Sequence, residues 1–123
     1  MLLALLSVVA VEATDRPIIG VFAQPHHNSS SEYIAASYIK WIEAGGGRAV
    51  PIPFKSTDTA ALEKTFNSIN GLLYPGGAGF TLSSGAKQMY DMAIAANNKG
   101  DVFPVWYGLT PFVLLSIMYD PPR

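Results

Sequence analysis

Apolar runs and amphipathic segments alternate along the chain from residue 17 onward. Four of the runs are apolar with no recurring polar position, a pattern typical of buried strands. The second run contains two prolines, which cannot donate to a central ladder, so it is predicted to lie toward a sheet edge. The third ends in a glycine turn. These predicted strands occupy residues 17–23, 49–54, 71–77 and 102–106.

Three amphipathic segments lie between these runs and predict helices. The first follows Ser29 and Glu32, whose spacing predicts a capping box at the helix N-terminus. The glycines at 45–47 predict where this helix ends, and Asp58 is the predicted N-cap of the second helix. In each segment the residues at helical spacing share one face: Ile34, Ser37, Tyr38, Trp41 and Ile42; Leu62, Phe66 and Ile69; Ala86, Met89, Tyr90, Ala93 and Ile94.

This alternation of strand and helix predicts an α/β fold, a partial doubly wound parallel sheet of about four strands and three helices. No internal repeat or domain linker interrupts the pattern. Ligands of such sheets bind beyond the carboxyl ends of the strands. Three strand ends are therefore candidate sites: Gln24 with the two histidines that follow it, Pro75 with Gly76 and Gly77, and the residues after Trp106.

The first residues predict a signal peptide over positions 1–14. Leu2–Val11 is an almost unbroken apolar run, and small residues follow at the spacing that signal peptidases prefer. The run is about ten residues long, too short to span a bilayer; a buried N-terminal strand is the alternative. A chain in the secretory pathway would carry a usable glycosylation sequon at Asn28.

Composition excludes several classes of function. The chain has 123 residues, a net charge of -1 and no block of like charges, which argues against a nucleic-acid groove. It contains no cysteine, so disulfides, thiolate metal sites and a cysteine nucleophile are excluded within it. His26 and His27 are adjacent among loop-forming residues, which predicts a solvated pair; the alternative is that one of them is a single ligand.

The chain resembles the N-terminal part of γ-glutamyl hydrolases, in the class I glutamine amidotransferase-like superfamily. The resemblance runs from Arg16 to Trp106, in four blocks that follow the family's order and spacing: "RPIIGVFAQP", "YIAASYIKWIEAGGGRAVPIPF", "INGLLYPGG" and "GDVFPVW". It implies a flavodoxin-like sheet, with residues 16–106 as the N-terminal part of that domain. Residues 107–123 are then a divergent apolar tail.

The same resemblance implies a secreted, lysosomal or vacuolar hydrolase that needs no metal or other cofactor. Such enzymes cleave γ-glutamyl bonds in folylpoly-γ-glutamates and often dimerise. The family's nucleophile is a cysteine on a turn just after "FPVW", assisted by a later histidine and acidic residue. In this chain the cysteine position falls on Leu109 or, with one inserted residue, on Thr110, and neither forms a thiolate.

The departure after Trp106 leaves two interpretations. A frame change, retained intron or mis-joined exon would make the chain a truncated, inactive form of the enzyme. A diverged pseudoenzyme is the other interpretation. It would be a non-catalytic module that binds folylpolyglutamate, or that pairs with a full-length homologue through an open sheet edge, as a homo- or heterodimer.

Three residues are candidates for binding. Gly76 and Gly77 could present backbone N–H groups to an oxyanion, or could serve only to make the turn. The resemblance favours the oxyanion role, because both match the family's motif. It also places Tyr33 near the substrate cleft, while the alternative is an aromatic residue that packs on the sheet at a helix start.

Overall fold

The computed structural model describes residues 15–76 and 82–108. The predicted signal peptide, Gly77 and residues 109–123 of the predicted tail, which include Leu109 and Thr110, lie outside the described residues. In chain order the elements are β1 Ile18–Phe22, β2 Gln24–Pro25, β3 Glu32–Tyr33, α1 Ala36–Ala44, β4 Arg48–Ile52, α2 Thr59–Phe66, β5 Gly71–Tyr74, α3 Ser84–Asn98 and β6 Val105–Tyr107.

Four strands form one parallel sheet in the order β4-β1-β5-β6. The α/β class and the parallel sheet predicted from the sequence are thereby confirmed. If only the four strands of this sheet are counted in chain order, their spatial order is 2-1-3-4. This is the beginning of the flavodoxin-like arrangement. Within residues 15–76 and 82–108, the proline-containing strand β4 lies at an edge of the sheet, as its composition predicted. The short strands β2 and β3 form a separate antiparallel pair, in which Gln24 lies opposite Tyr33.

The helices cover the two faces of the sheet unequally. Among the described helices, α1 is the one that packs against the first face, through a small cluster of Ile19, Val21, Ile42 and Leu73. The other face packs against α2 and α3 and holds the larger cluster, because Phe22, Ile52, Leu72 and Tyr74 project toward Leu62, Ala86, Met89 and Ala93. This division follows from the period of two along a strand, by which successive side chains enter opposite layers.

The two predicted helix starts have different outcomes. The Asp58 carboxylate accepts the N–H groups of Ala60 and Ala61 at 3.0 and 3.2 Å, which confirms it as the N-cap of α2. The predicted capping box is wrong, because α1 begins at Ala36 without a side-chain cap. Glu32 lies in β3 instead, several residues before the helix.

The Glu32 carboxylate has other partners. It accepts the N–H groups of Phe54 and Lys55, at 2.8 and 3.1 Å, in the segment that follows β4. The Lys55 ammonium group donates in turn to the Ser30 carbonyl at 3.3 Å. The acidic side chain therefore joins two loops that are distant in sequence, which a local spacing rule does not anticipate.

The last strand lies further along the chain than predicted. Val102 is 82% exposed, and β6 begins only at Val105. The reason is a pair of hydrogen bonds from the Asn97 side chain, which donates to the Phe103 carbonyl at 2.8 Å and accepts the Phe103 N–H at 2.9 Å. Both backbone groups of Phe103 are thus satisfied outside the sheet, and Tyr107 becomes the last residue of the strand.

Candidate functional site

The carboxyl ends of β1, β5 and β6 form the candidate site. β1 and β5 are neighbours, but the chain continues from β1 to β4 on one side and from β5 to β6 on the other. Such a reversal is a topological switch point, where open α/β sheets bind their ligands. Gln24 follows β1 here, Gly76 follows β5 and Gly108 follows β6.

A tyrosine hydroxyl from α1 holds the turn after β5. The Gly76 N–H donates to Tyr38 Oη at 2.9 Å, and the Tyr38 hydroxyl lies 3.4 Å from the Gly76 carbonyl oxygen. The predicted oxyanion donor Gly76 is thus at the switch point, with its N–H engaged by a side chain. Gly77, its predicted companion, lies outside the described residues.

Gly108, just after β6, packs against the same turn. Its N–H donates to the Tyr74 carbonyl at 2.8 Å. A Cβ at this position would overlap the Gly76 nitrogen and lie 3.0 Å from Tyr38 Oη. Only glycine fits, since no side chain can occupy the space between the two strand ends. We call this three-residue arrangement the Tyr38–Gly76–Gly108 contact.

Sequence reasoning missed two members of the Tyr38–Gly76–Gly108 contact. Tyr38 was predicted only as part of an apolar helix face, and nothing in its local sequence indicates a partner 38 residues away. Gly108 carried a usable signal, because a glycine directly after an apolar strand often marks a close backbone approach.

An open cavity of about 440 Å³ lies beside the contact. Its walls are mostly apolar and aromatic, while Ser37 and Tyr38 contribute hydroxyl groups. A second cavity, of about 400 Å³, lies beside Trp41 and Trp106, whose rings meet edge to face at 6.4 Å. The first cavity is lined by Ser37, Tyr38, Trp41, Leu73, Tyr107 and Gly108.

Tyr33 lies in β3, not at the start of a helix. Its side chain is 48% exposed and meets the His26 ring edge to face, with the centroids 5.9 Å apart. Because Tyr33 pairs with Gln24, it lies just beyond the carboxyl end of β1. A contact between Tyr33 and substrate stays a prediction.

The loop of His26 and His27 is exposed, as expected of a solvated pair. Asn28 is also exposed, and its N–H lies 3.4 Å from His26 Nδ1. Glycosylation at Asn28 stays a prediction. Within residues 15–76 and 82–108, no three His, Asp or Glu side chains are grouped as a metal ion requires.

Three stacked rings support the site from the opposite face of the sheet. Tyr74 stacks on Phe22 at 4.8 Å and on Tyr107 at 4.9 Å, so the stack crosses β1, β5 and β6. Among the described residues, no group accepts a hydrogen bond of ordinary geometry from the buried Tyr107 hydroxyl. Burial, and then the neighbouring Tyr90, raise the pKa of Tyr107.

Comparison with known proteins identifies the family of the chain. The family described as Peptidase C26 matches residues 8–97. The chain belongs to the peptidase C26 family. This peptidase C26 chain is 42% identical to "Gamma-glutamyl hydrolase" of Bos taurus, over 74% of its own length and 31% of the relative's. It is 42% identical to the Mus musculus protein of the same name, over 85% of its own length and 35% of the relative's.

A plant relative extends the comparison. "Gamma-glutamyl hydrolase 1" of Arabidopsis thaliana is 31% identical, over 88% of this chain and 34% of its own length. The chain thus spans about a third of the length of the curated relatives it matches. The family resemblance drawn from the four sequence blocks is confirmed. In the part of this peptidase C26 chain that the structure describes, no helix is long and apolar enough to cross a membrane.

Proposed function

We propose that this chain is a truncated γ-glutamyl hydrolase that keeps one side of the substrate site and does not hydrolyse. The family reaction is hydrolysis of γ-glutamyl bonds in folylpoly-γ-glutamates. One observation carries the proposal: the strand ends converge at the Tyr38–Gly76–Gly108 contact, yet the sequence holds no cysteine to place beside it.

Cysteine-dependent amide hydrolysis needs several groups to act together. A thiolate attacks the carbonyl carbon, backbone N–H groups stabilise the oxyanion, and a histidine returns a proton to the leaving amine. In our proposal the turn at Gly76 and Gly77 belongs to the oxyanion side and Tyr33 contacts the substrate. Because the Gly76 N–H is donated to Tyr38 Oη, the proposed donor to the oxyanion is the Gly77 N–H. Leu109 and Thr110, at the family's cysteine position, cannot supply the thiolate.

The test is incubation of the purified 123-residue chain with a folylpolyglutamate, followed by chromatography of free glutamate and shortened folates. We expect no release above the buffer blank, while a full-length γ-glutamyl hydrolase cleaves the same substrate in parallel. Release by the chain would overturn the proposal. If Thr110→Val then abolished that release, the Thr110 hydroxyl would be the nucleophile.

We propose a secretory route for the chain, leading to the lysosome, the vacuole or the extracellular space. The apolar run at residues 2–11 and the small residues after it support this proposal. So does the similarity to γ-glutamyl hydrolases, through the localisation that the family resemblance implies.

A second candidate function is pairing with a full-length homologue through the edge of β6. Within the described residues β6 pairs only with β5, whereas the flavodoxin-like order places a fifth strand beside the fourth. The Pro104 carbonyl and the Gly108 N–H bond to β5. By the alternation along a strand, the backbone groups of Val105 and Tyr107 face the open edge, where an added strand would bind.

Co-expression of the tagged chain with a full-length γ-glutamyl hydrolase tests this pairing. If β6 is the interface, the two proteins co-purify, and Val105→Pro abolishes co-purification by removing an N–H that faces outward. Val102→Pro is the matched control, because Val102 is exposed and precedes the strand. Equal recovery of both variants would exclude β6 as the interface.

A further inference from the structure

The Tyr38 hydroxyl is the one side-chain group of α1 that is hydrogen-bonded to the turn after β5 among the described residues. Tyr38 lies in the first turn of the helix, so the position of α1 and the direction of this turn are coupled. A Cβ added at Gly108, just after β6, would lie 3.0 Å from this hydroxyl. The hydroxyl therefore lies close to both strand ends at the candidate site.

A tyrosine hydroxyl has one hydrogen to donate and two lone pairs to accept with. Tyr38 Oη accepts the Gly76 N–H at 2.9 Å, an ordinary hydrogen-bond distance. The 3.4 Å separation from the Gly76 carbonyl oxygen is beyond the usual range, so the hydroxyl acts toward this peptide chiefly as an acceptor. Its contribution is to fix where the Gly76 N–H points.

Because residue 76 is a glycine, this hydrogen bond has a large effect on the direction of its backbone. A glycine has no Cβ to restrict its backbone, so its peptide plane needs an external partner to hold one direction. Gly108 bounds the turn sterically, but the Gly108 N–H is already donated to the Tyr74 carbonyl. Tyr38 is thus the polar partner that the described residues offer to the Gly76 N–H.

We propose that Tyr38 is a positioning residue of the site, whose hydroxyl holds the Gly76 N–H and thereby fixes the peptide by which the chain leaves β5 at the candidate site. The inference rests on the proposed function, in that the turn is taken as the oxyanion side of a γ-glutamyl site. The role is indirect: Tyr38 acts on the ligand through the Gly76 peptide.

The test compares Tyr38→Phe with the unaltered chain by NMR, using ¹⁵N-labelled protein and following the Gly76 amide. The substitution keeps the ring and removes only the acceptor. We expect the protection of the Gly76 amide against hydrogen exchange to fall about five- to tenfold, the equivalent of one net hydrogen bond. The amide proton resonance should also move upfield.

Tyr74→Phe is the matched control. It removes a buried hydroxyl that donates to the Ala86 carbonyl at 2.8 Å, on the other face of the sheet. It should lower stability without a selective change at Gly76. If exchange and resonance at Gly76 were the same in Tyr38→Phe as in the unaltered chain, the positioning role would be disproved.

A ligand titration separates this inference from the proposed function. The probe is γ-glutamylglutamate, and the readout is its dissociation constant for each variant. If Tyr38 positions the turn, the constant rises several-fold in Tyr38→Phe and not in Tyr74→Phe. Absence of binding to the unaltered chain would contradict a retained γ-glutamyl site, while the exchange measurement would still decide whether Tyr38 holds Gly76.

Discussion

Phe22→Ala is expected to lower the free energy of unfolding by about 3–5 kcal/mol, as truncation of a buried aromatic side chain usually does. Phe22 is 1% exposed and lies at the carboxyl end of β1, stacked on Tyr74. Its removal would leave a cavity in the larger core cluster and expose one side of the three-ring stack. Small domains have a total stability of about 5–15 kcal/mol, so the variant should be close to unfolding.

Urea titration followed by circular dichroism measures this loss. Two control variants distinguish the loss of core packing at Phe22 from a loss of stability that any substitution would cause. Phe22→Leu keeps an apolar group in the same place and should lose clearly less stability. Val102→Ala alters a side chain that is 82% exposed and should stay within about 0.5 kcal/mol of the unaltered chain. A Phe22→Ala midpoint equal to that of Val102→Ala would contradict the assigned core.

Much of the fold followed from the sequence because the signals were local. The apolar runs and the helical faces require only neighbours along the chain, and they placed four strands and three helices in the right order. The two prolines of the second apolar run predicted an edge strand, and Asp58 predicted a helix start, since each effect arises within a few residues. The family blocks added a flavodoxin-like sheet.

The two wrong predictions, the capping box and the start of the last strand, arise from hydrogen bonds between side chains and the backbone. Glu32 has the spacing of a capping box, but its carboxylate accepts two backbone N–H groups from the loop after β4, more than 20 residues along the chain. The last strand was placed too early because the Asn97 side chain satisfies the backbone of Phe103. In both cases a side chain forms hydrogen bonds with backbone groups that a helix or a strand could otherwise use. Which of the two structures forms depends on the tertiary fold.

The candidate site was predicted in outline and not in detail. Its location followed from a general rule about strand ends, and Gly76 was identified from its place after the third strand. Its partners Tyr38 and Gly108 come from other crossovers, and parallel strands bring such residues together only once the sheet has formed. The hydrogen bond between the Gly76 N–H and Tyr38 Oη therefore has no signature in the sequence near Gly76 itself.

Gly108→Ala is expected to disrupt the site and to cost about 1–3 kcal/mol, the usual range for forcing an atom into a packed region. The new Cβ would overlap the Gly76 nitrogen, and a backbone atom cannot move aside as a flexible side chain can. Either the turn after β5 or the end of β6 has to shift. A shifted turn would carry the Gly76 N–H away from Tyr38 Oη.

Gly45→Ala is the matched control, because Gly45 has φ of -80° and an added Cβ would lie 3.4 Å from its nearest neighbour, the Ile42 carbonyl oxygen. Alanine fits there and should be neutral or stabilising by up to about 1 kcal/mol. The Gly76 amide resonance should move in Gly108→Ala and stay in place in Gly45→Ala. If both variants matched the unaltered chain in stability and at Gly76, the strand ends would not be in contact, and the Tyr38–Gly76–Gly108 contact could not hold a ligand-facing turn.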